Sequence, residues 1–251
     1  MPERDATNAN NDRVWMKPWE LLRSREFDEG LQILRDEYAT KPGAREKLRL
    51  GIGYMWAEMY DSAVAHFTAA ARSPRNSEID FAFAGVAEWH LGNMATAIQR
   101  WREGLKAQYA VGCLVCSMTA RFLVVASALE PERFSKQEAE DILLDATERI
   151  DPSRWSGVLG RFLLGKIKEG EVERWVENRH QDEKGALPWE IGFYSAARRL
   201  SRAEIDAQAF RSLMHPMANA ANSNAMDTDT FGRLLRKPEY FLARTEAAKS
   251  C

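Results

Sequence analysis

Leu50-Gly51-Ile52-Gly53-Tyr54, then Tyr60-Asp61-Ser62-Ala63, Phe67 and Ala70, is answered by Ala84-Gly85-Val86-Ala87-Glu88, then Met94-Ala95-Thr96-Ala97, Trp101 and Gly104. Within Ala44 to Ala110 the pairs Gly51/Gly85, Ala63/Ala97, Phe67/Trp101 and Ala70/Gly104 each stand 34 residues apart, and the copies align without a gap. A fixed period of this size reads as one helix-turn-helix unit used twice. Small residues at Gly51, Gly85, Ala63 and Ala97 let two antiparallel helices approach closely, while Tyr54, Phe67 and Trp101 fill the space between neighbouring pairs. Leu91-Gly92-Asn93 supplies the turn, with Gly92 available for the left-handed residue that ends a helix. A unit of this kind cannot bury its apolar face alone, so further helix pairs are expected on both sides.

The flanking sequence meets that expectation. Met1 to Asp12 is polar and aperiodic and reads as a disordered arm, with 1–13 set apart from a single helical domain over 14–251. Pro18-Trp19-Glu20-Leu21-Leu22 opens a helix, and Glu26 to Gly30 followed by Leu31, Leu34 and Tyr38 gives a second, ending near Lys41-Pro42-Gly43. This 14–43 pair is an atypical first copy about one residue short of register, and Pro74 closes the next copy early.

After Ala110 the period stops but helical signals continue. Val111 to Ala128 reads as a long buried helix. Ser135-Lys136-Gln137-Glu138 is a capping box for a helix carrying Ile142, Leu143 and Ile150, and Asp151-Pro152 reads as an N-cap with Pro in the first turn. Trp155, Leu159, Phe162 and Leu163 form a helical stripe, Leu164-Gly165-Lys166-Ile167 repeats the cadence of Leu91-Gly92-Asn93-Met94, and Val172, Trp175 and Val176 share a side. Arg179 to Leu187 reads as a loop and Pro188 as the start of another helix, and Ser201-x-x-Glu204 as a capping box leading into Phe210 and Leu213. Degenerate pairs thus span 111–215. A flexible stretch from Asn219 to Thr230 and a terminal cap with Phe231, Leu234, Leu235, Tyr240, Phe241 and Leu242 occupy 216–251. No run alternates as a strand would, so the fold class is all-α.

The 34-residue spacing, with small and large residues in these places, resembles the tetratricopeptide repeat over Ala44 to Ala110. That resemblance implies a right-handed superhelix of roughly five stacked antiparallel pairs with a concave face lined by the first helix of each pair. The lining positions of the family correspond here to Arg45, Leu48, Ile52 and Met55, then Ile79, Ala82, Val86 and Trp89. The family's carboxylate-clamp members carry Lys and Asn where this chain has Leu48 and Ile52, which argues against a chaperone-tail binder. The groove is either open, with Trp89 as its aromatic anchor, or filled by the N-terminal helix or by the helix at Val111 to Ala128. Arg198, Arg199 and Arg202 make a second candidate surface, suited to an acidic partner.

Composition excludes several functions. With 35 basic and 37 acidic residues, a net charge of −2 and a pI near 6.2, no basic field for nucleic acid is present. No apolar signal segment opens the chain, and the most apolar window, Ala110 to Leu129, is interrupted by Arg121, so no membrane span is expected and the location reads as cytoplasmic. Cys113-Leu-Val-Cys116 is half of a zinc or thiol motif with no second half, and His66, His90, His180 and His215 form no ligand pair. Buried core cysteines are the simpler reading, leaving a thiol or zinc enzyme as a remote alternative. No phosphate loop, nucleophile elbow or cofactor signature occurs, and the chain reads as a non-enzymatic binder of another protein.

A second resemblance concerns function. The order Trp101-Arg102-Glu103-Gly104-Leu105-Lys106, an apolar middle helix, Trp155-Ser156-Gly157 with Phe162-Leu163-Leu164-Gly165, and Tyr240-Phe241-Leu242-Ala243-Arg244 is similar to bacterial tetratricopeptide-like proteins encoded beside polymorphic toxins. Those are thought to be immunity proteins, which implies binding and occlusion of a cognate toxin. A general peptide-binding scaffold or assembly factor is the alternative.

Overall fold

A computed structural model describes residues 17–72, 77–107, 118–178, 187–220 and 237–249, and every regular element among them is a helix. These are α1 (17–23), α2 (Phe27–Thr40), α3 (Ala44–Trp56), α4 (Tyr60–Ala71), α5 (Glu78–His90), α6 (Met94–Gly104), α7 (Met118–Leu129), α8 (Lys136–Glu148), α9 (Trp155–Leu163), α10 (Glu169–Glu177), α11 (Leu187–Ser201), α12 (Ala207–Ala220) and α13 (Pro238–Ala248). The expected N-terminal arm, Pro74, Cys113 and Cys116, the loop after Arg179, and Phe231 to Leu235 lie outside the described residues.

The turns repeat one geometry. Arg25 (φ 65°), Glu58 (61°), Gly92 (82°), Gly165 (72°) and Ala203 (56°) all take the left-handed conformation. At each, the residue's own N–H bonds the carbonyl three back and the next N–H bonds the carbonyl five back, as in Glu58 N–H to Met55 O (3.3 Å) and Met59 N–H to Tyr54 O (2.9 Å). This is the Schellman closure, which satisfies the last carbonyls of the preceding helix. It joins α1 to α2, α3 to α4, α5 to α6, α9 to α10 and α11 to α12. Arg25 and Glu58 stand 33 residues apart and Glu58 and Gly92 stand 34 apart, which places the short register of the first pair in the sequence before α3. A further pair, α7 with α8, turns differently, through Glu130 to Phe134, making six successive pairs where about five were expected.

Two expected helix starts move. Asp151 does not cap a helix at Pro152; its Oδ1 accepts from Ser153 N–H and Oγ–H (both 2.8 Å), closing a turn, and α9 begins at Trp155. Ser201 does not open the last long hairpin either. It ends α11 and donates to Arg198 O (3.2 Å), and the left-handed Ala203 then carries the chain to Asp206, whose Oδ1 caps α12 by accepting from Ala209 N–H (2.7 Å). By contrast Ser135 Oγ does accept from Glu138 N–H (3.2 Å) at the start of α8.

From α2 onward each helix packs on its successor, and the first helices of the pairs also pack on one another: α3 on α5, α5 on α7, α7 on α9, α9 on α11. These odd-numbered helices therefore form one continuous layer. The second helices pack into it: Phe67 of α4 fills the notch at Gly51, and Trp101 of α6 fills the notch at Gly85 and donates its indole N–H to Ala82 O (3.2 Å). The layer also closes on itself, because α7 touches α11 directly. Phe67, Phe83, Trp89, Trp101, Phe122, Phe162, Phe193, Tyr194, Phe210, Tyr240 and Phe241 are all fully buried. The apolar window at its described end is α7, whose Thr119 to Ser127 are buried in this layer, and no described helix is long and apolar enough to cross a membrane.

Candidate functional site

Of the expected groove residues, Ile52, Met55, Ala82, Val86 and Trp89 are buried core, Leu48 and Ile79 are half-buried against it, and the Arg45 side chain lies outside the described atoms. Trp89 is 1% exposed rather than a displayed anchor. One element that covers it is not among those expected. It is α13, which lies against α5, α11 and α12.

The chemistry of α13 explains its position. Glu239, Tyr240, Phe241, Leu242, Ala243, Thr245, Glu246 and Ala247 are all buried, so the helix has no solvent stripe of ordinary width and must sit within the array. Its aromatic rings continue the stacks of the layer of odd-numbered helices: Tyr240 on Trp56 (6.0 Å between centroids) and Phe241 edge-on to Phe83 (5.9 Å). Burying two carboxylates requires partners. Glu246 accepts from Trp89 Nε1–H (2.7 Å), Lys249 Nζ (2.6 Å) and Arg211 Nε (3.1 Å). Glu239 accepts from Tyr194 Oη–H (2.6 Å), and Arg121 Nε donates to the same hydroxyl (2.9 Å) with its Nη2 3.7 Å from Glu239 Oε1. Beside this triad Glu190 takes Lys237 Nζ (2.9 Å) and Trp155 Nε1–H (3.1 Å).

The electrostatics follow from burial. Burial pushes the Glu190 carboxyl and the Tyr194 hydroxyl above their ordinary values, whereas Glu190 and Glu239 outweigh burial at Lys237 and hold its ammonium above the usual lysine range. At the other end of α13 Tyr60 stacks on His90 (3.4 Å), and His90 Nδ1 is 2.9 Å from Thr245 Oγ1. Burial raises Tyr60 to about 12 and lowers His90 below the usual histidine value. Arg244 Nη2 reaches Glu58 (2.7 Å) while its guanidinium lies 5.0 Å over Trp56. These contacts tie α13 to its neighbours, although Glu239 Oε2 and Arg244 Nη1 are buried without a hydrogen-bond partner among the described residues.

The second expected surface does assemble, though its three arginines differ. Arg198 is half-buried, its Nη1 donating to Ile167 O (3.0 Å) and its guanidinium 4.6 Å over the Phe162 ring. Arg202 is exposed and lies on Gly165, whose missing Cβ makes room for it, and Arg198 Nη2 would stand 3.8 Å from that same Cβ position. Burial, then the neighbouring Arg202, lowers the Arg198 pKa. Arg199 and Lys166 are exposed, and the carboxylates of Glu204 and Glu169 act on Arg198. Two guanidiniums held side by side, with an exposed fork, are suited to carboxylates of a partner rather than to catalysis.

Set against known protein families, curated proteins and solved structures, the chain matches none.

Proposed function

We propose that this chain is a non-enzymatic protein-binding array of the tetratricopeptide kind, its hairpins stacking in a right-handed superhelix, and that its partner is a cognate bacterial toxin held and occluded by it. The observation that supports the binding reading is the Arg198–Arg202 pair at the Gly165 turn, with Arg202 and Arg199 exposed and the carboxylates of Glu204 and Glu169 offsetting part of its charge. Keeping like charges adjacent costs stability that an acidic partner would return. Since α13 covers the expected groove residue Trp89, the proposed docking uses this arginine ledge and a rim of neighbouring hairpin turns, and affinity rests on few anchors. The toxin reading is supported by the order of motifs from Trp101 to Arg244. In the test, the protein encoded by the adjacent gene is co-expressed with this chain. Protection from its toxicity and a stable complex are expected, both lost in Arg198→Gln/Arg202→Gln with folding intact. A harmless neighbour, or full protection by that variant, would refute the reading.

A further inference from the structure

The C-terminal end of α13 is held at a histidine. His90, the last residue of α5, is half-buried between Tyr60 of α4 (3.4 Å between centroids, 18° between planes) and Thr245 of α13, whose Oγ1 stands 2.9 Å from His90 Nδ1. The Thr245 hydroxyl donates its one proton to Phe241 O (3.0 Å) and therefore accepts from His90, which assigns the proton of the neutral imidazole to Nδ1. Charged groups crowd this contact. Arg244 precedes Thr245, and Lys249 follows it by one turn on the same side of the helix. Glu58, at the α3–α4 turn, takes Arg244 Nη2 (2.7 Å), and Glu246 takes Lys249 Nζ (2.6 Å) and Arg211 Nε of α12 (3.1 Å). On α5 itself Glu88 is turned to Asn93 Nδ2 (2.9 Å).

A second proton on this imidazole meets opposed forces. Burial disfavours it most, Glu58 attracts it, and Arg244 and Lys249 repel it, so His90 is held below the usual histidine value while α13 is docked. Exposure returns the imidazole to its ordinary value, so an open α13 end binds the proton more tightly and is favoured as pH falls below about 6.5. The same end carries Glu246, which accepts from Trp89 Nε1–H (2.7 Å). The opposite end has separate contacts, Glu239 with Tyr194 Oη–H (2.6 Å) and Phe241 with Phe83 (5.9 Å). We propose that acid loosens one end of α13: protonated His90, set against Arg244 and Lys249, releases Thr245 to Lys249 from α5 and uncovers Trp89, while Glu239 to Leu242 stay seated.

The test is NMR hydrogen exchange on the full chain at pH 7.5 and 5.5, each rate divided by its free-peptide rate at that pH. Protection of the Glu246 and Ala247 amides and of the Trp89 indole N–H should fall at least about threefold at pH 5.5, while the amides of Phe83 and Leu242 change less. His90→Gln keeps a donor for Thr245 and cannot take a charge, so it should abolish the difference. Lys249→Gln removes one repelling cation and should reduce it. His66→Gln removes the other histidine held low by burial and should leave the local difference in place. An equal fall at Phe83 and Glu246, constant protection at Glu246, or a fall that persists in His90→Gln would overturn the proposal. Arg198 and Arg202 are untouched by these variants, so this result and that of the toxin test are independent.

Discussion

Gly85→Ala separates packing from helix propensity with opposite signs. On propensity alone, alanine in the middle of α5 gains about 1 kcal/mol over glycine. Against that, a Cβ on Gly85 would stand 2.6 Å from Trp101 Cδ1 and Cε2 and closer still to Nε1. Carbon atoms rest about 3.5–4 Å apart, so the indole must retreat by about 1 Å. It has little freedom to do so: Trp101 is fully buried, held between Trp89 (5.6 Å) and Phe122 (5.4 Å), and tied to Ala82 O. Overpacking costs about 1–3 kcal/mol, and losing the indole hydrogen bond about 1 more. After the propensity gain, the net loss is about 2 kcal/mol, which for a chain of this size lowers Tm by roughly 4–8 °C. Urea unfolding followed by circular dichroism and tryptophan fluorescence should show the midpoint fall at constant slope. Gly170→Ala is the control, since a Cβ there meets only Glu173 Oε2 at 4.0 Å, and it should be neutral or slightly stabilising. A Gly85→Ala protein as stable as its parent would refute the interdigitated packing of α5 and α6.

Three further outcomes follow from the ties on α13 and the turns. Arg121→Met strands the fully buried Glu239 beside Tyr194 and should cost about 3–5 kcal/mol in urea unfolding; adding Glu239→Gln should recover most of that loss, and a double variant no better than the single would contradict the pairing. Ala203→Gly relieves a left-handed alanine at an exposed turn and should stabilise by about 0.5–1 kcal/mol, read as a raised Tm. His66 and His90 are both held below the ordinary histidine value by burial, so the unfolded chain takes up their protons first as pH falls; these two groups should make stability drop from pH 7.5 to 5.5, and both should titrate below 6.5 by NMR. The drop should shrink in His66→Gln, and a histidine titrating at or above 6.5 would contradict that sign.

Much of the fold is legible in the sequence because it is local. Gly92 and Gly165 announce left-handed turns by residue type, and the 34-residue spacing of Gly51/Gly85 and Phe67/Trp101 announces which side chains share a notch. Arg25, Glu58 and Ala203 make the same turn without glycine, so only the backbone reveals them. Ser201 has the residues of a capping box, yet Asp206 caps the helix, because the competing closure at Ala203 ends α11 later than spacing suggests. The arginine cluster was legible as Arg198, Arg199 and Arg202 lying within five residues of one another. The state of the groove was not. Trp89 and Glu246 are separated by 157 residues, and no periodicity couples positions so distant. The available signal lay in α13 itself, where the unbroken apolar turn Tyr240-Phe241-Leu242-Ala243 cannot be confined to one face of a surface helix.

Amide hydrogen exchange across Pro238 to Ala248 tests the centre of this account, in which α13 is buried against α5, α11 and α12. Protection of Phe241, Leu242 and Glu246 amides equal to that of Phe83 and Val86 in α5 is the predicted result. Exchange of those C-terminal amides at the rate of a free peptide, while α5 stays protected, would contradict it.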